Sequence, residues 1–163
     1  LMDKWAVHVG GGLTHRLSRT DALMIKENDL KIIGSKRDTG SVISSAISSI
    51  DFEKSAAFVV IEVQDSAQAI SAAESWSENQ KIRGGNERIV ILLDNMGPQK
   101  CRSAEALLRE SELRDWCILE GSGGVTLDRL HTWIESSMVD VISSSSVNMG
   151  VPSLDLSMLI RGI

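Results

Sequence analysis

The sequence predicts an α/β fold with three layers, in which helices cover both faces of a mostly parallel, five-stranded sheet. The main observation is a set of three apolar runs rich in Val and Ile, at residues 57–63, 89–93 and 116–119. Runs of this length that do not alternate with polar residues are typical of strands buried on both faces. Segments with helical spacing separate the runs, and alternation of strand and helix favours parallel strands joined by crossover helices.

Helix signals support the same order of elements. Ser66 and Thr126 are each placed to cap a helix whose apolar residues recur every three or four positions. Pro98 suits a first helical turn, where its missing N–H costs nothing. Residues 41–50 carry apolar side chains on one helical side and serines on the other. Four helices are therefore predicted, three of them after residue 65.

The first third of the chain is open to more than one interpretation. Residues 5–9 and residues 30–33 each read as a short strand, which brings the expected number of strands to five. Residues 16–28 could form a short helix. Alternatively, residues 22–26 pair with residues 30–36 as a hairpin.

Length and composition indicate one domain of an ordinary globular protein. The chain has 163 residues, of which 42% are hydrophobic and 24% are charged, so it can bury a core without a metal or disulfide. We expect an α/β domain over residues 1–138. Residues 139–163 read as a serine-rich connection followed by a short amphipathic helix.

Charge and cysteine content exclude several classes of protein. The net charge of −5 argues against a general nucleic-acid binder. Two cysteines cannot form a secreted disulfide framework, and no apolar run approaches the ~20 residues that a membrane span requires. With no signal-peptide pattern in view, we expect a cytoplasmic protein that neither binds nucleic acid nor inserts into a membrane.

Two glycine-rich turns are candidate phosphate- or nucleotide-binding sites, because ligands of open parallel sheets bind beyond the carboxyl ends of the strands. One turn follows the strand expected at residues 5–9, and the other leads into the helix expected from Thr126. Neither turn has the spacing of a P-loop or of a dinucleotide fingerprint, and a flexible turn is the alternative. The candidate residues are Gly10, Gly11, Gly12, Arg16, Gly121, Ser122, Gly123 and Gly124.

Acidic residues near the strand ends form a second candidate site. Glu62, Asp65, Asp94 and Glu120 could meet at one sheet edge and hold Mg²⁺, which prefers oxygen ligands. Asp65 and Asp94 are the metal candidates of this group. Acidic residues that only cap helices are the alternative.

Cysteine and histidine give weaker signals. Cys101 is flanked by Lys100 and Arg102, which would lower its pKa, but the chain lacks an arginine at the spacing of a phosphatase loop. Cys117 is expected in the core. The three histidines, His8, His15 and His131, are scattered, so zinc is not predicted.

The order of elements over residues 5–138 resembles a receiver-type, flavodoxin-like module. Asp65 alone could match a receiver's phosphoacceptor, and the acidic pair and the lysine of a working receiver have no counterpart. Residues 57–160, including 130–136 and 151–158, are similar to the degenerate receiver-like part of the bacterial cellulose-secretion regulator that binds cyclic di-GMP. The resemblance implies a domain that serves assembly and does not sense the ligand alone.

The favoured function is therefore a non-catalytic regulatory or scaffolding module that acts through protein contacts in a larger, secretion-related assembly. Its partner would be a protein, a neighbouring domain or a second copy of the chain, and it would need no cofactor. Candidate interface residues are Trp76, Trp133, Leu154 and Met158, although both tryptophans also suit an ordinary core. The alternative is a small enzyme that binds a phosphate, or a nucleotide with Mg²⁺, through the glycine-rich turns.

Overall fold

Five parallel strands form one sheet in the computed structural model, and helices lie around it, which confirms the predicted α/β class and the number of strands. The structure describes residues 2–18, 21–34, 38–51, 58–149 and 155–158. The strands are β1 Leu23–Ile25, β2 Val59–Val63, β3 Ile89–Asp94, β4 Cys117–Ser122 and β5 Val141–Ile142. The helices are α1 Met2–Val9, α2 Glu27–Gly34, α3 Thr39–Ser48, α4 Ser66–Arg83, α5 Gly97–Glu110 and α6 Leu130–Ser136. Short 3₁₀ turns span Arg114–Trp116, Leu127–Arg129 and Ser145–Val147.

The strands lie side by side in the order of the sequence, and every neighbouring pair is parallel. The described strands therefore contain no reversal of strand order, the feature that locates ligand sites in doubly wound sheets. Consecutive helices contact each other, α3 with α4, α4 with α5 and α5 with α6. Since all strands point the same way, their carboxyl ends still share one edge of the sheet.

One face of the sheet packs into the hydrophobic core. On this core face, Ile61 of β2 lies beside Ile91 of β3, which lies beside Leu119 of β4, and all three are buried. Ala72, Ala73 and Trp76 of α4 belong to the same core cluster. The core therefore lies between the sheet and the helices that join its strands.

The opposite face, here called the charged face, carries the alternate residues of the same strands. Its residues in β2 to β4 are Val60, Glu62, Val90, Leu92, Asp94, Ile118, Glu120 and Ser122. The half nearer the strand starts is aliphatic, and the half nearer the carboxyl ends is acidic. Functional chemistry is therefore expected where the strands of this face end.

The first third of the chain differs from the sequence-based expectation. Residues 5–9 lie in α1 and residues 30–33 lie in α2, so neither forms the predicted strand. The first strand is instead Leu23–Ile25, which pairs in parallel with β2 and not in a hairpin. Short apolar runs fit a strand and a helix equally well. Contacts with the rest of the sheet therefore determine which of the two forms.

The C-terminal part of the sheet also extends further than expected. β5 lies within the stretch that the sequence assigns to a serine-rich connection and pairs with Glu120 and Gly121 of β4. Residues 155–158 are not helical, and Met158 is 86% exposed, so the expected inward-facing helix is not seen there. Leu154 lies outside the described residues. None of the helices in the described part of the chain is long and apolar enough to cross a membrane.

Candidate active site

Three acidic residues lie toward the carboxyl end of the charged face. The strand register places Glu62, Leu92 and Glu120 in one row across β2, β3 and β4. Asp94 lies two residues further along β3, opposite Ser122 of β4. The carboxylates therefore lie on one side of the sheet, at the edge where its loops begin.

Glu62 is paired with a lysine that follows the neighbouring strand. Lys26 directly follows β1, and its Nζ lies 2.9 Å from Oε2 of Glu62. The Glu62 side chain is largely buried, whereas about half of the Lys26 side chain is exposed. The pair thus presents an oriented ammonium group at the mouth of the site.

Asp94 organises the ends of β3 and β4. Its Oδ1 accepts a hydrogen bond of 2.8 Å from Oγ of Ser122, and its Oδ2 accepts one of 2.9 Å from Nδ2 of Asn95. The backbone N–H of Asn95 donates to the carbonyl of Ser122 at 3.1 Å. These bonds lock the two loops together.

The contact between the two loops extends to Gly123, a position where Asn95 leaves no room for a side chain. Its φ is +94°, and a Cβ atom there would lie 2.2 Å from Oδ1 and 2.7 Å from Cα of Asn95. Gly124 follows with φ +62°. Successive N–H groups in a turn of this kind can form an anion-binding concavity.

The segment after α1 reaches the site through His15. Its Nε2 lies 3.6 Å from Oε2 of Glu120, and its ring meets Phe58 edge-on at 6.4 Å between centroids. Lys4 donates hydrogen bonds from Nζ to the carbonyls of His15 and Arg16. Nη1 of Arg16 donates to the Ala22 carbonyl at 3.0 Å, just before β1. The His15 ring therefore lies beside Glu120 on the charged face, whereas the Arg16 side chain is bonded to the residue that precedes β1.

A cleft of about 380 Å³ opens beside Glu62. Apolar side chains of α2 and α3, including Leu30 and Val42, form part of its wall, and Gln64 and Gln68 add amide groups. Glu62 therefore borders this cleft and also pairs with Lys26.

The glycines at residues 10–12 do not form the expected strand-to-helix turn. They end α1 in a Schellman arrangement, in which Gly12 N–H bonds to the Val7 carbonyl at 2.9 Å and Gly11 has φ +86°. The end of a helix presents carbonyl oxygens and negative partial charge. The geometric argument for phosphate binding at Gly10, Gly11 and Gly12 is therefore lost.

Asp65 and Asp94, the predicted metal ligands, each have hydrogen-bond partners within the protein. Asp65 caps α4 and accepts hydrogen bonds from the backbone and side chain of Gln68. Asp94 is bonded to Ser122 and Asn95 instead. Within the described ranges, no group of three or more His, Cys, Asp or Glu side chains is placed to hold a metal ion.

The tryptophan interface residues belong to the core. Trp76 is 2% exposed and donates from Nε1 to the Glu87 carbonyl at 2.7 Å. Trp133 is 1% exposed and packs over Gly121, where a Cβ atom would lie 2.6 Å from its Cζ3. Neither side chain is therefore available to a partner, and the alternative prediction, that both tryptophans lie in the core, is the one that the structure supports.

The cysteines are also structural. Cys101 and Cys117 are both buried, and burial raises the pKa of each thiol to about 11. The flanking Lys100 and Arg102 therefore do not lower the pKa of Cys101 as expected, because desolvation of the thiolate dominates.

Sequence reasoning missed Lys26 as a site residue, and it considered His15 only as a counter-charge for a phosphate at the first glycine turn. Lys26 immediately follows the apolar residues 23–25, so a parallel strand predicted there would have placed a cation at the carboxyl edge. The contact between His15 and Glu120 had no such signal, because the two residues are distant in the sequence and only the fold joins them.

Comparisons with known proteins identify the family of this chain. The model of the quinolinate phosphoribosyl transferase C-terminal domain matches residues 1–159. The chain belongs to this family. A probable nicotinate-nucleotide pyrophosphorylase [carboxylating] from Methanothermobacter thermautotrophicus is 34% identical over 161 residues, which cover 99% of this chain and 51% of that protein.

Further relatives give the same picture. A quinolinate phosphoribosyltransferase [decarboxylating] from Nicotiana tabacum is 30% identical over 98% of this chain and 44% of its own length. The crystal structure of NadC from Streptococcus pyogenes superposes with a TM-score of 0.69 at 29% identity, over 96% of this chain and 47% of that one. The chain spans about half the length of the curated relatives it matches.

Family membership corrects the favoured interpretation of the sequence. The resemblance to a degenerate receiver is wrong, as is the inferred non-catalytic regulatory or scaffolding role, because the matched relatives are named as enzymes. Receiver modules and this domain share alternating strands and helices, which is the property on which the resemblance rested. Order of elements alone does not distinguish folds that differ in the order of strands within the sheet.

Proposed function

We propose that this domain provides part of the active site of a quinolinate phosphoribosyltransferase, which forms nicotinate nucleotide. The observation that carries the proposal is the grouping of Lys26, Glu62 and Asp94 at the carboxyl end of the charged face. The relatives' names supply the reaction, and the geometry supplies groups suited to its substrates.

The proposed reaction joins two anionic substrates. The ring nitrogen of quinolinate attacks C1 of the ribose in phosphoribosyl diphosphate, and the C1–O bond breaks as diphosphate leaves with the electron pair. The carboxylate next to the ring nitrogen is then lost as CO₂, and the ring carbon takes up a proton. Both reactants are substrates, so the proposal includes no resident cofactor.

The charged residues proposed for the site are opposite in sign to the substrate groups that they would bind. Lys26 and Arg16 are cations suited to carboxylate and phosphate groups. Glu62 and Asp94 are suited to the positive charge that develops on the ribose as diphosphate leaves. The turn at Ser122, Gly123 and Gly124 supports a phosphate contact through its backbone N–H groups.

A neighbouring domain is the partner that we propose. The matched relatives are about twice as long as this chain, and α1 has no buried residue among those that the structure describes. Met2, Trp5 and Val9 of α1 are all exposed, so this helix offers an apolar surface for contact. The cytoplasmic location expected from the sequence stays a prediction.

The test is an assay of the complete polypeptide that contains this domain. Quinolinate and phosphoribosyl diphosphate are supplied together, and nicotinate nucleotide and CO₂ are measured. Lys26→Met should lower kcat/KM by about 100-fold, the effect of losing roughly 3 kcal/mol of charge-assisted binding. Lys100→Met, which removes an exposed lysine from α5, is the matched control and should leave kcat/KM unchanged.

Two results would overturn the proposal. One is a wild-type polypeptide, folded by circular dichroism, that makes no nicotinate nucleotide from the two substrates. The other is a Lys26→Met variant with the same kcat/KM as Lys100→Met.

A further inference from the structure

Two glutamates of the chain are equally buried and lie in different surroundings. Glu105 of α5 and Glu120 of β4 are each 5% exposed. Glu105 pairs with Arg109 and lies 3.5 Å from Nε of Arg114, so guanidinium groups surround it. Glu120 lies on the charged face and has no arginine among the partners that the structure describes for it.

Glu120 contacts two segments that are far from β4 in the sequence. Oε2 lies 3.6 Å from Nε2 of His15, in the segment that follows α1. Oε1 accepts a hydrogen bond from Oγ of Ser143, just after β5. The backbone N–H of Ser143 also donates to the Gly121 carbonyl at 2.9 Å, so this serine is fixed relative to β4.

The segment that carries His15 has few other supports. The residues around it, from Gly11 to Thr14 and at Leu17, are exposed. Lys4 and Asp21 bond the segment to its own sequence neighbourhood, whereas the contact with Glu120 joins it to the centre of the sheet. Removing that contact would leave the edge-on contact with Phe58 to hold the imidazole against the sheet.

We propose that Glu120 is a positioning residue, which holds the His15 ring at the edge of the site so that the ring can bind a carboxylate of the aromatic substrate. The proposal rests on the proposed function for the identity of that substrate. A carboxylate that is buried and hydrogen-bonded keeps a fixed orientation, because leaving either oxygen unpaired in the interior is costly. Glu120 can therefore orient His15 without touching the substrate itself.

The first experiment separates binding from turnover in the complete polypeptide. Glu120→Gln keeps the shape of the side chain and an acceptor for Ser143, but removes the charge that faces His15. We expect KM for quinolinate to rise about tenfold, equivalent to roughly 1.4 kcal/mol, with kcat changed less than threefold. His15→Ala should give a similar rise, and the double variant should be no worse than His15→Ala alone, because both changes remove one interaction.

The matched control is Glu105→Gln, which alters the other buried glutamate away from the charged face. It should leave KM for quinolinate unchanged, even where it lowers stability as much as Glu120→Gln does. Equal rises in KM for the two variants would mean that loss of stability, not positioning of His15, explains the effect, and would overturn the proposal.

A second measurement does not depend on turnover. The ring resonance that disappears in His15→Ala assigns His15 in a ¹H–¹⁵N spectrum of histidine side chains. This resonance should shift in Glu120→Gln and stay in place in Glu105→Gln. An unmoved resonance would overturn the proposal. If the wild type does not convert quinolinate, the proposed function fails, and this spectrum alone still decides whether Glu120 positions His15.

Discussion

The two faces of the sheet are built from the same three strands, yet one face packs into the core and the other carries the acidic residues of the candidate site. On the core face, β3 contributes Ile89, Ile91 and Leu93, all fully buried. On the charged face, the same strand contributes Val90, Leu92 and Asp94, and only Leu92 of these is buried. Stability is therefore concentrated on one face, and the other face is free to carry polar groups at its carboxyl end.

The comparison explains why the strands read as uniformly apolar. Val60, Val90 and Ile118 on the charged face are aliphatic, so the period-two alternation of a one-sided strand is absent from the first half of each strand. Acidic residues appear on this face only near the strand ends. Residues that pack and polar residues of the candidate site are therefore separated along each strand as well as between the two faces of the sheet.

The largest effect should come from emptying the core face. Leu93→Ala removes a fully buried side chain and should lower the free energy of unfolding by about 3 kcal/mol. Val90→Ala, on the charged face of the same strand and only half-buried, should cost about 1 kcal/mol. Urea denaturation followed by tryptophan fluorescence measures both. Equal losses would contradict the distinction between the two faces.

A somewhat smaller effect is expected at the loops that close the charged face. Gly123→Ala would place a Cβ atom 2.7 Å from Cα of Asn95, a backbone atom that cannot simply rotate away. We expect a loss of about 2 kcal/mol, together with reduced turnover, because the Asp94 and Ser122 contact is displaced. Gly84→Ala is the control, since Gly84 has a similar φ of +68° and no atom within 4 Å of its Cβ position.

The control glycine should cost about 1 kcal/mol, the penalty of the left-handed backbone alone. Thermal denaturation and the nicotinate nucleotide assay give the two readouts. If Gly84→Ala is as damaging as Gly123→Ala, contact with Asn95 contributes nothing.

The two buried cysteines should make the free energy of unfolding depend on pH. Burial raises the pKa of both thiols from about 9 to about 11, so the unfolded chain loses these protons at lower pH than the folded chain does. Stability is fully retained below about pH 9 and falls as pH rises from 9 to 11, by about 1.4 kcal/mol per pH unit for each thiol. Denaturation curves at pH 8, 9 and 10 test this, with Cys101→Ala and Cys117→Ala each expected to flatten the decline.

The smallest effect should distinguish a helix cap from a metal ligand. Asp65→Ala removes the bond to Gln68 N–H at the start of α4 and should cost about 1 kcal/mol of stability. Asp65→Asn retains a capping oxygen, so its stability should stay close to that of the wild type. A large loss in Asp65→Asn would show that the negative charge matters for more than the cap.

Much of the architecture could be predicted from local pattern. The three longest strands and helices α4 and α5 were expected near their observed places, because each has a long apolar pattern and Pro98 marks the first turn of α5. The predicted cap Ser66 is the first residue of α4, and Asp65 is its N-cap. Residues 5–9 and 30–33 were assigned to the wrong class, since a run of four or five residues does not distinguish the two periodicities. β5 has only two residues, too few to leave a pattern.

The candidate site was predicted less completely. Asp94, Gly123 and Gly124 were selected because they follow apolar runs, and the structure places them where β3 and β4 end. Arg16 was selected as a counter-charge beside the first glycine turn, and its role stays a prediction. Gly10, Gly11 and Gly12 were selected on the same kind of signal and instead end a helix. Lys26 was overlooked because its strand, Leu23–Ile25, is short.

The sequence by itself determined an α/β domain with parallel strands and placed polar residues where those strands end. It did so because buried parallel strands and amphipathic helices leave different apolar periods in the chain. Only the tertiary structure decided which face of each strand enters the core, and which distant groups meet, such as Lys26 with Glu62 and His15 with Glu120. The physical reason is that these contacts depend on strand register and order, which arise when all the strands pack together and leave no mark on the local pattern of either partner.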